Sequence, residues 1–183
     1  KLEDKHEERT ELDVPDDPSV SGVSTDDHRV GEPAVEHLAA LGHKRILAVV
    51  NEPPSCSIFD RTMGWRDGLA RLGVHDPELL LECSVQPGQN SLALSYQYLR
   101  SKLTHDPPEF TSIFCVAWTG ALAAMRALRE LGWRVPEDVS LVTYAGESLL
   151  PSYLNPPLTA IQADMSTYAD RVIEQLERQF EDP

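Results

Sequence analysis

Apolar positions along this chain fall into two alternating rhythms. "AVEHLAALGH" places Val35, Leu38 and Leu41 at helical spacing and runs into Gly42, where a left-handed helix stop belongs. "KRILAVV" follows as an unbroken apolar run, the pattern of a strand covered on both faces. The alternation then repeats. A helix in "FDRTMGWRDGLARLG" stops at Gly73, "ELLLEC" is a strand, "SLALSYQYLRSKL" a helix and "TSIFCV" a strand. A helix in "GALAAMRALRELG" stops at Gly132, and "VSLVTY" is the next strand. Beyond a proline-rich loop come the short strand "LTAI" and the helix "STYADRVIEQLERQF". Upstream, "VSGVSTDD" predicts a short strand and loop, and "GEPAVEHLAALGH" the first helix. Strands alternating with helices through short loops predict an α/β fold, a Rossmann-like parallel sheet flanked by helices.

Residues 1–19 lack an apolar period and are rich in Glu and Asp, which reads as an acidic tail or tag remnant; residues 20–183 form the folded part. A formal charge of −14 argues against this segment holding a nucleic-acid backbone or an anionic membrane. Three widely spaced cysteines, Cys56, Cys83 and Cys115, match neither a disulfide framework nor a zinc-ligand spacing. They fit small buried hydrophobes in a reduced, cytoplasmic setting. The start of the chain does not read as a signal peptide, and no apolar run is long enough to span a membrane.

In a parallel sheet of this kind, ligands sit outside the carboxyl ends of the strands. The segments to inspect are "NEPPSCSIFDR", "CSVQPGQN", "AWTG" and "TYAGESLL". None has a phosphate-cradling glycine pattern or a GxSxG nucleophile elbow. The six histidines are scattered; His37 and His43 flank a helix end and read as packing or capping residues. Asp26-Asp27 reads as the end of a strand and the start of a helix rather than as an acid pair for chemistry. No enzyme, cofactor or metal is predicted.

Four stretches, "AVEHLAALGHKRI", "DRTMGWRDGLARLG", "ALRELGWRVPEDVSLV" and "YLNPPLTAI", resemble in order and spacing the effector-binding domain of the LacI/GalR family of bacterial transcription regulators. The resemblance covers roughly residues 20–180 and implies a periplasmic-binding-protein-like type I fold of two lobes, with a small-molecule effector bound between them. It also implies a homodimer that touches DNA through an N-terminal helix-turn-helix head. Against that family's layout, this chain corresponds mainly to the second, C-terminal lobe. The head, most of the first lobe and the final strands would lie outside it.

Carried over by position, Ser55, Ser57 and Arg61 match the effector loop in which serines and an arginine face the ligand. An arginine fork grips vicinal hydroxyls or a carboxylate, and short hydroxyls add adaptable hydrogen bonds. Arg61 also has a plainer reading, as a solvated residue opening a helix. Elsewhere the resemblance breaks. The family's Asn-Asp after the third apolar strand is Ala117-Trp118 here, and its Gly-Phe-Asp-Asp is Thr143-Tyr144-Ala145-Gly146-Glu147, with one extra residue before "NPPLT". Its glutamine after the last strand corresponds to Ala163, with Gln162 one place early, and its loop aromatic to Val85 or Gln86. Trp118, Tyr144 and Glu147 complete the candidate ligand set. Trp118 either stacks on a ring or fills the space between lobes, and Glu147 stands in for the missing acid. Two rival readings remain: a solute-binding protein of a transport system, and an interaction-only dimerisation domain that has lost its ligand.

Overall fold

The computed structural model describes residues 22–74 and 76–181. The acidic tail read at residues 1–19, and the first residues of the strand predicted from Val20, lie outside them. Helix α1 (His28–Ala40), strand β1 (Ile46–Val50), helix α2 (Cys56–Arg71), strand β2 (Leu80–Glu82) and helix α3 (Ser91–His105) come first. They are followed by β3 (Ser112–Cys115), α4 (Trp118–Glu130), β4 (Ser140–Gly146), β5 (Thr159–Gln162) and α5 (Met165–Glu181). The five strands form one sheet in the order β2-β1-β3-β4-β5, and every pair is parallel. The predicted fold class is therefore the observed one.

Two expectations need correction. Residues 22–26 form no strand, and α1 begins at His28, three residues before the expected start. Helix α4 likewise starts at Trp118 rather than at Gly120. In both cases the residues ahead of the predicted start, His28-Arg29-Val30 and Trp118-Thr119, are too few to show a helical spacing of their own, although Val30 is buried.

The unbroken apolar runs become the central strands. All five residues of β1 and all four of β3 are buried. Right-handed crossovers require α2, linking β1 to β2, to lie on one face and α3 and α4, which run back across the sheet, on the other. Accordingly α1 packs on α2, and α3 on α4. On the first face Trp65 is 2% exposed, and its Nε1–H donates to the Ile46 carbonyl at 3.1 Å.

The α1–α2 crossing is unusually close because both helices present glycine there. A Cβ on Gly31 would lie 2.2 Å from the Arg61 carbonyl oxygen, and one on Gly64 would lie 2.0 Å from the His28 carbonyl oxygen. This backbone-to-backbone contact holds the start of α1, with Asp27 just before it, beside the middle of α2, which carries Arg61. The predicted helix stop also forms: Gly42 has φ +94°, and the amides of Gly42 and His43 return to the carbonyls of Ala39 and Leu38.

No helix among the described residues is long and apolar enough to cross a membrane. Cys83 and Cys115 are buried and outside any disulfide, as expected of packing thiols, whereas Cys56, read in the same way, is only half-buried as the first residue of α2. Burial pushes the Cys83 thiol up to about 11, with a hydrogen bond from Ser95 opposing the shift.

Candidate functional site

The chain runs from β1 outward to β2 and then returns to place β3 on the other side of β1. The carboxyl ends of β1 and β3 thus flank the switch point of the sheet, the place where ligands bind in sheets of this kind. Asn51 and Glu52 leave the end of β1, and Val116 to Thr119 leave the end of β3. Arg61, in the second turn of α2, reaches into the same region.

Arg61 is held from three sides. Its Nε–H donates to Asp27 Oδ1 at 2.7 Å, and its Nη1 donates to the Val116 carbonyl at 3.3 Å. Its guanidinium carbon lies 4.0 Å from the centroid of the Tyr144 ring. The side chains of Arg61 and Asp27 are 13% and 6% exposed, so this ion pair is largely screened from water. The stacked ring adds ~0.5–2 kcal/mol of cation–π attraction. Burial raises the Tyr144 phenol above its ordinary value; the Arg61 charge pulls it down and Asp27 pushes it up.

A second cluster joins three elements at the switch point. Glu52 Oε1 accepts from Ser91 Oγ at 3.1 Å, from Thr119 Oγ1, and from Asn51 Nδ2 at 3.4 Å. Asn51 is fully buried and also donates from Nδ2 to Thr119 Oγ1 at 2.8 Å. Its Oδ1 is buried and has no hydrogen-bond partner among the described residues. That oxygen lies against the first turn of α4, where a Cβ on Gly120 would fall 2.4 Å away. Only glycine fits at that point. Ala117, the residue before α4, is extended and supplies no side-chain cap, so the first amides of α4 lack the usual oxygen.

Of the residues predicted from sequence, Arg61 and Tyr144 are brought into contact, and Arg61 Nη1 reaches a carbonyl two residues before Trp118. Trp118 is half-buried as the first residue of α4. Ser55 is the N-cap of α2, with Oγ accepting from the Ile58 amide at 3.3 Å, and Ser57 sits half-buried in the first turn. Glu147 is exposed beyond β4 and makes no hydrogen bond or ion pair to Arg61 among the described residues.

The adjacent acids divide their work. Asp26 Oδ1 accepts from the Arg29 amide at 3.3 Å, as expected of a residue opening α1. Asp27 occupies the N-cap position but forms no cap; its carboxylate goes to Arg61 instead. Sequence reasoning missed that partnership, and it missed Asn51, Glu52, Ser91 and Thr119. One signal was available: a polar pair directly after an apolar strand stands at the carboxyl edge, where ligands gather. Among the described residues no three His, Cys, Asp or Glu side chains converge as a metal site.

The periplasmic binding protein-like domain family matches residues 35–183. The transcriptional regulator CelR of Thermobifida fusca is 29% identical over 150 residues, covering 82% of this chain and 42% of CelR. The transcriptional repressor PurR of Aliivibrio fischeri is 27% identical over 183 residues, covering 96% of this chain and 53% of PurR. The chain thus spans about half the length of these relatives. Among solved structures, a LacI-family transcriptional regulator from Enterococcus faecium with bound ribose superposes with a TM-score of 0.71 at 26% identity, covering 89% of this chain and 59% of the other. With the sheet order and the match over residues 35–183, these likenesses mean that the chain belongs to the periplasmic binding protein-like domain family, in the branch carried by LacI-family transcriptional regulators.

Proposed function

We propose that residues 20–183 are part of the effector-sensing domain, mainly its second lobe, of a cytoplasmic, homodimeric LacI/GalR-like transcriptional regulator. A small molecule lodges at the strand ends, against Arg61, Tyr144 and Trp118 and beside the start of α2, which carries Ser55 and Ser57. Binding favours one arrangement of the lobes and so changes how a dimer presents its DNA-binding heads. No chemistry is performed. DNA is reached through an N-terminal head outside this chain, consistent with the −14 charge of this segment.

The observation that carries this reading is the family match over residues 35–183; the largely buried Arg61 near the strand ends supports the choice of site. A thermal-shift screen with pentoses, hexoses, sugar phosphates, organic acids and purines tests it. A ligand of the native state raises the unfolding temperature by mass action, and Arg61→Ala should abolish or weaken that rise. A hit unaffected by Arg61→Ala would remove Arg61 from the site.

One observation favours the interaction-only alternative: Arg61 already has a carboxylate, a carbonyl and an aromatic face as partners. On that reading the whole panel leaves the unfolding temperature unchanged. The transport alternative is separated by the parent gene, where a secretion signal in place of a helix-turn-helix would sink the regulator reading.

A further inference from the structure

We infer that Glu52 is an internal anion that occupies the anion-binding position between α3 and α4, making it a specificity-determining residue that turns anionic effectors away. This rests on the reading of the strand ends as the effector site.

The argument starts from the two helix N-termini. Helix α3 has 15 residues and α4 has 13, so each carries a developed dipole with partial positive charge at its start. Ser91 is the first residue of α3 and Thr119 the second of α4, and both hydroxyls donate to the same oxygen, Glu52 Oε1. Helix starts attract a phosphate or carboxylate group; at α3 the Ala93 amide is already taken by Asn90 Oδ1 at 2.9 Å, so the donors the two starts offer at this point are the Ser91 and Thr119 hydroxyls. Here a carboxylate of the chain itself is already in place. It arrives from the end of β1, the one strand lying between β2 and β3, from which α3 departs and to which it returns.

Asn51 supplies an independent second observation. It is fully buried, and its Nδ2 is used by Thr119 and Glu52, which leaves Oδ1 as an acceptor without a donor against the first turn of α4. The cluster is therefore rich in acceptors. An incoming anion would meet the Glu52 carboxylate and the Asn51 carbonyl dipole, and would have to take Ser91 and Thr119 from the carboxylate oxygen that already holds them. The positive charge nearby offers it nothing extra, because Arg61 is neutralised by Asp27 at 2.7 Å. A neutral polyhydroxy compound or a protonated amine can donate to the Glu52 carboxylate and meets no such repulsion; Asn51 Oδ1 is packed against α4 and acts through its dipole alone. The ligand class that fits is uncharged or cationic.

The test titrates the 183-residue chain and its Glu52→Gln variant with inorganic phosphate and with glucose 6-phosphate by calorimetry at fixed ionic strength. Gln keeps the size and an acceptor oxygen while removing the charge, so a bound anion no longer meets the carboxylate's repulsion and competes for Ser91 and Thr119 with a neutral, weaker acceptor. Glu52→Gln should bind both probes at least about tenfold more tightly than the unmodified chain, the scale of one unit charge a few ångströms away at a partly exposed site. Ser91→Ala, which loses a donor but keeps the charge, should show no gain. The unmodified chain supplies an arm independent of any variant's folding: it should show no saturable binding of glucose 6-phosphate at millimolar concentration. Tight binding of glucose 6-phosphate by the unmodified chain overturns the inference while upholding an effector site. Equal affinities for the two proteins, including no binding by either, also overturn it. A neutral-sugar screen without hits counts against the effector reading and leaves the charge comparison intact.

Discussion

Replacing Asp27 with Asn removes the charge facing Arg61 and leaves the shape of the side chain. The two side chains are 6% and 13% exposed, so the guanidinium cannot recover its hydration without moving. Removing one partner of a buried ion pair costs about 3–5 kcal/mol, because the other charge is left uncompensated. Two contacts survive and lessen that cost: the Val116 carbonyl at 3.3 Å and the Tyr144 ring at 4.0 Å. Slight exposure lessens it further. The expected destabilisation is about 2–3 kcal/mol. For a domain of this size each kcal/mol moves Tm by roughly 2–4 °C, so Tm should fall by about 4–12 °C. Differential scanning calorimetry measures this directly. A double-mutant cycle with Arg61→Met isolates the pair term, which should reach about 2 kcal/mol, with the double variant more stable than Asp27→Asn alone. A Tm loss under about 2 °C, or a cycle additive within about 0.5 kcal/mol, would refute the idea that this pair bears structural load.

The other expectations rest on separate parts of the fold. Gly64→Ala drives a methyl to within 2.0 Å of the His28 carbonyl oxygen, so urea unfolding should show a loss of about 3 kcal/mol, at the upper end of overpacking costs; Gly42→Ala, which meets no atom within 4 Å, should lose less, from backbone strain alone. Hydrogen bonds from the Arg134 side chain and backbone hold the Asp138 carboxyl down at about 2. Its contribution is therefore present above the unfolded carboxylate value near ~4 and is lost as pH falls towards about 2, and Asp138→Asn should flatten that limb of a Tm-versus-pH curve. His43 bridges Thr111 Oγ1 at 2.9 Å and Ser140 Oγ at 3.0 Å, and burial lowers its pKa. The unfolded chain then binds that proton more readily, so stability should decline as pH drops below ~6.5, and His43→Gln should remove that decline.

How much of this was legible in the sequence follows from how each feature is encoded. Strands and helices carry their own periodic signal, so "ILAVV" and "SIFC" could be placed on a buried parallel sheet without further information. Gly42 could be read as a helix stop because a left-handed residue is a local demand. Gly31 and Gly64 could not be read as a crossing point: nothing local distinguishes them from other glycines, and the close approach exists only once α1 and α2 meet. The same holds for the site. Arg61 was found by its position in a familiar pattern, whereas its partner Asp27 lies 34 positions earlier and looks, locally, like any acid opening a helix. Glu52 binds across 39 residues to Ser91 and 67 to Thr119, distances over which a sequence shows composition but no pairing.

The substitution of Ala117-Trp118 for a polar pair gains a physical reading from these contacts. A polar residue at position 117 would cap α4 with its own oxygen; alanine leaves those amides without a side-chain cap. Glu52 brings a carboxylate to the same helix through Thr119, from a neighbouring strand rather than from the preceding residue. The charge beside the start of α4 thus comes from the end of β1 rather than from the loop before the helix, and the same carboxylate also fastens α3. With a carboxylate supplied from the end of β1, the first residue of α4 is an aromatic, Trp118, and it stands half-buried. Arg61 is likewise balanced from within, by Asp27, and it ties the end of β3 to the Tyr144 ring. A ligand entering such a site adds contacts to a network already satisfied and has little ordering cost to offset, but it must bind without competing for Asp27 or Glu52.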